Sequence, residues 1–438
     1  MSSSSAVTLE KLVALCKRRG FIYQSAEIYG GLNGVYDTGH LGTLLKRNIR
    51  AAWEQSISTY GEILFMEGSL LAPSAVWEAS GHVANFHDPM VDCLKCKHRY
   101  RADDVNLEKP CPHCGNKAWT QVRQFNMMFQ TQLGAAVDNS AVAYLRPETA
   151  QAIFINFKNV YSTNRVKIPF GIAQIGKAFR NEITPKQFLF RMREFEQMEL
   201  EWFCKPEQAD TFFDYWVEKR FAFYTTIGIS PEKIRLRAHT ADELAHYSKK
   251  CVDVEYAFPF GWKELEGIAH RGDFDLTQHS THSGKDLSVF DEDTKTSYMP
   301  NVIESSVGVD RLLLTLLFDS YTEDVVEGEE RVMLALHPSI APIKAAFLPL
   351  SKKLNDPMLA LYNEVKNRLN IACIFDDNGS IGKRYRRQDE IGTPVCFTYD
   401  FESETDHCIT VRNRDTTKQE RIAIDQVIPY LRTLLQHG

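Results

Sequence analysis

Apolar residues recur at helical spacing from Leu9 to about Ile63, with one interruption at Gly30, Gly31, Gly34, Gly39 and Gly42, and the clearest helix runs from Leu44 to Ser58. From Val142 to Cys204 the pattern changes to the alternation of β-strands, and from Lys205 to Phe223 it returns to helix. The stretch Ile234 to Phe260 is mixed. A long strand is predicted from Ser297 to Glu304, running into a helix from Gly308 to Leu317. After Glu330 the order is strand at Val332 to Leu336 and Ala345 to Leu348, helix near Met358 to Leu369, then strands at Ile371 to Phe375, Pro394 to Tyr399 and Cys408 to Arg412. A last helix starts at Asp425. No internal repeat interrupts this order.

A chain of 438 residues exceeds the size at which a single core stops growing, so more than one domain is expected. The tail from residue 331 onward reads as a separate α/β domain, and residues 1–330 as the larger unit. Between Val91 and Trp119 the composition shifts to Cys, Lys, Pro and Gly, which marks a small inserted module. The serine-rich start, residues 1–6, is expected to be frayed. With 44% hydrophobic and 25% charged residues and no apolar run of membrane-spanning length, the class is globular, and the start lacks a secretory-type apolar core, which points to the cytoplasm. The net charge of −6 speaks against a simple basic nucleic-acid binder, but it divides into −8 for residues 1–330 and +2 for the tail, so the tail is the better partner for a polyanion.

Parity along the strand ending at Cys204 sorts Met192, Met198, Leu200 and Trp202 onto one face, and Arg191, Arg193, Phe195, Gln197, Glu199 and Glu201 onto the other. The preceding strand places Gln174, Arg180 and Glu182 together. Such a surface suits ATP: Arg180 can grip a phosphate bidentately, Phe195 can stack on the base, and carboxylates can hold amines or a metal. Taken alone it also fits a solvated sheet face laced with ion pairs. Gly308 and Arg311, at the start of the helix in ESSVGVDRLLLTLL, can admit and reach distal phosphates. Glu148, Glu199 and Glu304 are candidates for holding an ammonium group in a small cavity.

Four cysteines, Cys93-x2-Cys96 and Cys111-x2-Cys114, have the spacing of a tetrahedral zinc site, with His98 or His113 as substitutes for one sulfur and disulfides or free thiols as the alternatives. With no open ligand position, that zinc would be structural. The other six cysteines, Cys16, Cys204, Cys251, Cys373, Cys396 and Cys408, read as core. In the tail, Lys383, Arg384, Arg386 and Arg387 around Tyr385 form the densest basic cluster, a solvated helix face or a nucleic-acid contact.

The hairpin FRNE (179–182) followed by FRMREFEQMELE (190–201) resembles the second motif of class II aminoacyl-tRNA synthetases, and ESSVGVDR (304–311) the third. The whole chain resembles the short, single-subunit-type glycyl-tRNA synthetases, through RPETAQ (146–151), FEQMELEWF (195–203), GWKELEGIAHR (261–271) and LHPSIAPIKAAFLPL (336–350). The first motif, GVYDTGHLGTLLKRNIRAAW (34–53), resembles the dimer-forming segment, with His40 where the family is expected to carry proline. The resemblance implies an α+β fold: a class II catalytic domain over 1–330 with an antiparallel sheet flanked by helices, a zinc-ribbon-like insertion over 91–119, a second insertion over about 205–260, and an α/β anticodon-binding domain over 331–438.

It further implies contacts to ATP from Arg180, Asn181, Glu182, Phe190, Arg191, Met192, Arg193, Glu194, Phe195, Glu264, Leu265, Gly308, Val309, Asp310 and Arg311. Contacts to glycine would come from Arg101, Glu148, Phe195, Glu196, Gln197, Met198, Glu199, Glu304, Ser305, Ser306, Val307 and Gly308. Arg180, Glu182 and Arg311 would be the catalytic residues, Glu264 a Mg²⁺ ligand, the tail cluster a tRNA contact, and the assembly a homodimer. The expected reaction is ATP-dependent activation of glycine and its transfer to tRNA(Gly). Two competing readings are a non-catalytic, nucleic-acid-binding relative that has lost its ATP-site residues, and a synthetase for proline, threonine or serine.

Overall fold

A computed structural model describes residues 7–134, 142–245, 247–326 and 328–437. The expectation of a frayed start at residues 1–6 lies outside the described residues. The central element is a seven-stranded sheet in the order Ile234–Ala238, Lys250–Phe258, Gly261–Gly272, Asn301–Gly308, Glu194–Cys204, Phe170–Phe179 and Ile63–Phe65. Every pairing is antiparallel except the last, where Phe170–Phe179 runs parallel to Ile63–Phe65.

One sheet face is apolar and carries helices His40–Ser58, Ala209–Thr226 and Val309–Ser320, so Met198, Leu200 and Trp202 pack with Trp53, Trp216 and Leu313. Met192 joins the same core, as parity predicts. A second core lies under helices Ala150–Asn164 and Phe274–Ser283, where Phe154 and Phe157 meet Phe170 and Phe203. The polar side of the sheet is left open between these two layers.

The tail forms a five-stranded sheet in the order Cys373–Phe375, Ala345–Pro349, Val395–Tyr399, Cys408–Asn413 and Gln419–Ala423. Its first three strands are parallel and the last two antiparallel. Alternation along Ala345–Pro349 sends Ala345 and Phe347 to helices Asn355–Leu369 and Val427–His437, and Ala346 and Leu348 to helix Ile381–Ile391. Both faces are therefore covered, which explains the nearly continuous apolar run along this strand.

Several expectations need correction. The alternation inferred across 142–204 hides helix Ala150–Asn164, whose Ile, Phe and Val residues favour strands intrinsically but bury Ile153, Phe154 and Phe157 at helical spacing. The single strand expected at 297–304 is two, Thr296–Tyr298 and Asn301–Gly308, separated at Met299 and Pro300 because proline cannot donate to the ladder. Helix Ile381–Ile391 carries the basic cluster, in line with the helix-face reading of it, although its polar, arginine-rich sequence has few apolar positions to reveal a helix by periodicity. The segment 205–260 supplies a helix and then two edge strands of the central sheet itself, and His40 takes the first helical position of His40–Ser58, where proline's missing N–H would cost nothing.

Candidate active site

The open polar side of the central sheet holds a cavity of about 430 Å³, within the range of small-ligand pockets. Its lining includes Glu148, Arg180, Glu182, Phe190, Arg191, Met192, Phe195, Gln197, Glu199, Glu264, Glu304, Ser306, Gly308, Asp310 and Arg311. All of these are sequence-predicted, and they come from three strands, the first turn of helix Val309–Ser320 and the loops around Glu148 and residues 180–193.

Arg180 leaves the end of strand Phe170–Phe179 and is fixed twice. Its Nε donates to the Pro147 carbonyl at 3.0 Å, and its guanidinium lies between the rings of Phe86 (5.4 Å) and Phe195 (5.3 Å). Phe195 therefore holds the arginine as well as facing the cavity. Arg311, two residues into its helix, lies over the Phe190 ring at 4.5 Å and donates to Glu264 Oε1 at 3.0 Å. Two guanidiniums pinned on aromatic faces keep their outward N–H groups free for an anion. Glu182 is half-buried, and burial lifts its carboxyl above the usual range despite the opposing charges of Arg191 and Arg180.

The deeper end is a carboxyl cluster. Glu199 accepts from Thr149 Oγ1 and from Ser306 Oγ at 2.8 Å, and burial, reinforced by Glu304 and Glu148, pushes its carboxyl up to about 8. Glu148 moves the other way: burial would raise it, but His82 at 3.2 Å, Arg271 and Gln151 hold it ionised far below the usual range. Glu304 accepts from Arg271 Nη1 at 2.8 Å, and burial still leaves its carboxyl raised. Arg271 also grips Asp275 with two hydrogen bonds, at 2.7 and 2.8 Å. Gly308 has an ordinary φ of −77°, so its glycine is not required by the backbone, and an added Cβ would meet nothing closer than 3.5 Å.

Other predicted residues sit outside the cavity lining. Met198, Leu265, Val307 and Val309 are core residues of the apolar face, and Ser305 points with them to donate to Glu266. Glu196 also faces away, pairing with Lys46 at 3.1 Å and Arg50 at 2.5 Å. Asn181 donates its backbone N–H to the Met127 carbonyl, Arg193 caps the carbonyls of Glu182 and Asn33, and Glu194 pairs with Lys177. Arg101 binds Asp88 at 3.2 Å, beside the arginine-rich rim rather than in the cavity.

Residues that the sequence reading gave no role include His82, Thr149 and Arg271, and a cavity wall made of His239, Glu243, Tyr247, Ser248 and Asp253; Cys251, read as core, also lines this wall, and Cys373 and Cys408 are only partly buried, unlike Cys16, Cys204 and Cys396. Parity on strand Lys250–Phe258 would have placed Cys251 and Asp253 on one face. Nothing local flags His82, which reaches Glu148 only through tertiary packing.

The four module cysteines stand together: Cys93 and Cys114 Sγ atoms are 3.6 Å apart, Cys96 and Cys111 3.8 Å, and all four lie within 4.8 Å of one another. A tetrahedron with metal–sulfur bonds of about 2.3 Å has edges of about 3.8 Å, whereas a disulfide would need about 2 Å. Cys111 is held down to about 6, against burial, by the Tyr100 hydroxyl and backbone N–H groups. Thiolate character at this position suits a metal. In the tail, the basic cluster is mostly committed internally: Arg384 is buried on the Pro349 and Asp376 carbonyls, Arg387 pairs with Asp376, and Tyr385 bonds Thr398, which leaves Lys383 exposed.

Residues 113–320 match the family described as tRNA synthetase class II core domain (G, H, P, S and T), and residues 344–434 match the anticodon binding domain. The chain is 50% identical to a glycine–tRNA ligase of Caldanaerobacter subterraneus subsp. tengcongensis, over 98% of this chain and 99% of the relative. It is 49% identical to those of Treponema denticola (98% of each chain) and Geobacillus thermodenitrificans (97% of each). Identity of this extent along nearly the whole length, joined to a class II core and an anticodon-binding domain in the same order, makes the chain a member of the glycine–tRNA ligase family.

Proposed function

We infer that the protein is a glycine–tRNA ligase: it activates glycine with ATP to glycyl-adenylate and pyrophosphate, then transfers the glycyl group to the 3′ end of tRNA(Gly). The observation that carries this reading is one cavity holding two ring-pinned arginines at one end and Glu148, Glu199 and Glu304 at the other. The readings as a non-catalytic relative or as a synthetase for another amino acid are not favoured, since relatives 49–50% identical over nearly the whole chain are glycine–tRNA ligases and the ATP-site residues are present.

In the assignment proposed here, Arg180 and Arg311 neutralise the phosphates of ATP and hold the α-phosphorus in line with the glycine carboxylate, so catalysis is positioning and charge stabilisation without a protein nucleophile. Glu182 and Phe195 orient the nucleotide, with Asn181, Phe190 to Glu194, Leu265 and Gly308 to Asp310 shaping its surroundings from the first or second layer. Glu148, Glu199 and Glu304 receive the ammonium of glycine, and the run from Phe195 to Glu199, Ser305 to Gly308 and Arg101 frame that site. Mg²⁺ accompanying ATP would be held by Glu264, and it would supply further neutralisation of phosphate charge. Zinc held by Cys93, Cys96, Cys111 and Cys114 would be structural, with no open position for chemistry.

The proposed division near 330/331 falls within the strand Glu329–Leu334, where Arg331 bridges Asp324 on one side and the Arg414 carbonyl (2.8 Å) and Asp389 (3.4 Å) of the tail on the other. A homodimer is supported by the first-motif resemblance and by Ile28 and Tyr29, which stand 89% and 87% exposed in the same region, and Lys383 is the exposed cation of the tail cluster assigned to tRNA contact. Ten free cysteines fit the cytoplasm. Among the described residues no helix is long and apolar enough to cross a membrane.

The test is ATP–pyrophosphate exchange with each of the twenty amino acids, on the wild type and Arg180→Ala. Exchange with glycine alone is expected, lost by about 10²-fold or more in the variant while its circular dichroism is unchanged. Normal exchange in Arg180→Ala would sink the site assignment, and exchange with a different amino acid would sink the function.

A further inference from the structure

Beneath the carboxyl cluster lies Glu201, fully buried at 0% exposure and absent from the cavity lining. In the ladder between Glu194–Cys204 and Asn301–Gly308, Glu201 stands directly opposite Glu304, as Glu199 stands opposite Ser306. Two carboxylates directly opposite each other in a buried ladder repel, and either must be neutralised or paired with a cation. The charges around the pair do not supply one. Glu199 shares its strand, Ile172 neighbours it on the other side, and Arg271 and Asp275 approach from strand Gly261–Gly272 and helix Phe274–Ser283. Arg271 is committed: two of its donors serve Asp275 and one serves Glu304. His82 is spent on Glu148. Five carboxyl groups thus face one arginine and one histidine, and neither oxygen of Glu201 makes a well-aligned hydrogen bond among the described residues.

We propose that Glu201 is a positioning residue, a neutral carboxylic acid whose proton is donated across the ladder to Glu304, fixing that carboxylate for the ammonium of glycine without adding a charge. The proposal rests on the reading of Glu304 as a glycine-facing group. Two further observations fit it. Burial, then Glu304, lifts the Glu201 carboxyl well above its usual range, and the Glu201 side chain in turn favours the ionised form of Glu304. Glu304 has one oxygen on Arg271 and the other available, so a donor from below and an ammonium from the cavity can share it. Without that donor Glu304 would be held by Arg271 alone and would keep a proton more readily, and both changes weaken an ammonium site.

The experiment is glycine-dependent ATP–pyrophosphate exchange by the full-length protein, comparing wild type, Glu201→Gln and Glu201→Leu. The amide keeps a donor and stays neutral, so Glu201→Gln should hold kcat and the KM for ATP and change the KM for glycine by less than about threefold. Glu201→Leu removes the donor and should raise the KM for glycine by about tenfold or more, with the KM for ATP unaltered. If Glu201 is instead an ionised ligand for the ammonium, both variants lose glycine affinity equally. If it only fills space, Glu201→Leu shifts the melting temperature and leaves both KM values alone. Either result overturns the proposal.

An infrared difference spectrum of wild type minus Glu201→Gln at neutral pH should contain a carboxylic-acid C=O band; a carboxylate band in its place refutes the neutral form even if Glu201→Leu does not fold. Absence of glycine-dependent exchange in the wild type would be a failure of the functional reading, separate from any result on Glu201.

Discussion

At the scale of single residues, the cavity works because neighbouring carboxyls hold different proton counts. Glu148 stays ionised against His82, while Glu199 keeps its proton up to about 8 because burial and two like charges oppose ionisation. The sign of the stability effect follows: between the ordinary carboxyl value of 4.5 and about 8 the folded chain holds a proton that the unfolded chain has released, so this group makes stability fall as pH rises through that window. Glu199→Gln should flatten the decline, measured as the difference in melting temperature from wild type between those limits. A wild-type difference that does not vary with pH would show that Glu199 titrates normally. Much of this site was legible from strand parity and motif spacing, because alternation alone puts Gln197 and Glu199 on the face opposite Met198 and Leu200. His82, Thr149 and Arg271 were not, since each reaches its carboxylate across elements that no periodicity relates. Parity also assigned Glu201 to the cavity face correctly but could not tell lining from burial beneath it.

At the scale of elements, one buried cation ties the first-motif helix to the strand Glu194–Cys204 and the helix Val309–Ser320. Lys46, on His40–Ser58, donates to Asp310 at 2.8 Å and meets Glu196 at 3.1 Å, and Asp310 in turn accepts the backbone N–H of Glu196 at 2.9 Å. Lys46→Met would leave two buried carboxylates with less compensation and should cost about 3–5 kcal/mol, read in chemical denaturation. A cost below about 1 kcal/mol would mean that Arg50 carries the load alone. The cysteine module is a separate element with its own small sheet, His87–Asp92, Arg99–Arg101 and Arg123–Asn126, and its core is the four sulfurs. Purified protein should contain one zinc per chain, and Cys111→Ser or a strong chelator should release it and open the module to proteolysis near residues 94–118 while the central sheet still melts cooperatively. Retention of an intact module without metal would argue for packing rather than zinc. The cysteine spacing made this element readable in advance. Helix Ala150–Asn164 shows the opposite case, where strand-favouring side chains are overridden by a shared core with Phe274–Ser283.

At the scale of the whole molecule, the tail is joined to the catalytic part by a few polar contacts of unequal burial. Arg18 and Arg19 on the first helix reach Glu390 of the tail, but Arg18 is half-exposed and solvent screens such a pair. Arg331 is different, with only 1% of its side chain exposed. It pairs with Asp324 on the strand Tyr321–Val326, meets Asp389 of helix Ile381–Ile391, and donates to the Arg414 carbonyl, so one guanidinium holds a hairpin of the core against two elements of the tail. Apolar contact reinforces it, because Leu334, Leu336, Ile340 and Ile391 belong to the same core as the central sheet. If the tail positions tRNA relative to the cavity, this clamp sets the distance. Arg331→Ala should therefore leave Asp389 with Arg412 alone, cost about 3–5 kcal/mol, and split a single calorimetric transition into two as the tail uncouples. Glycine-dependent pyrophosphate exchange, which needs only the cavity, should change little, whereas charging of tRNA should fall. Arg18→Ala, removing an exposed pair, should shift neither by more than about 1 kcal/mol. Equal losses of exchange and charging in Arg331→Ala would place the damage in the catalytic core and refute the clamp.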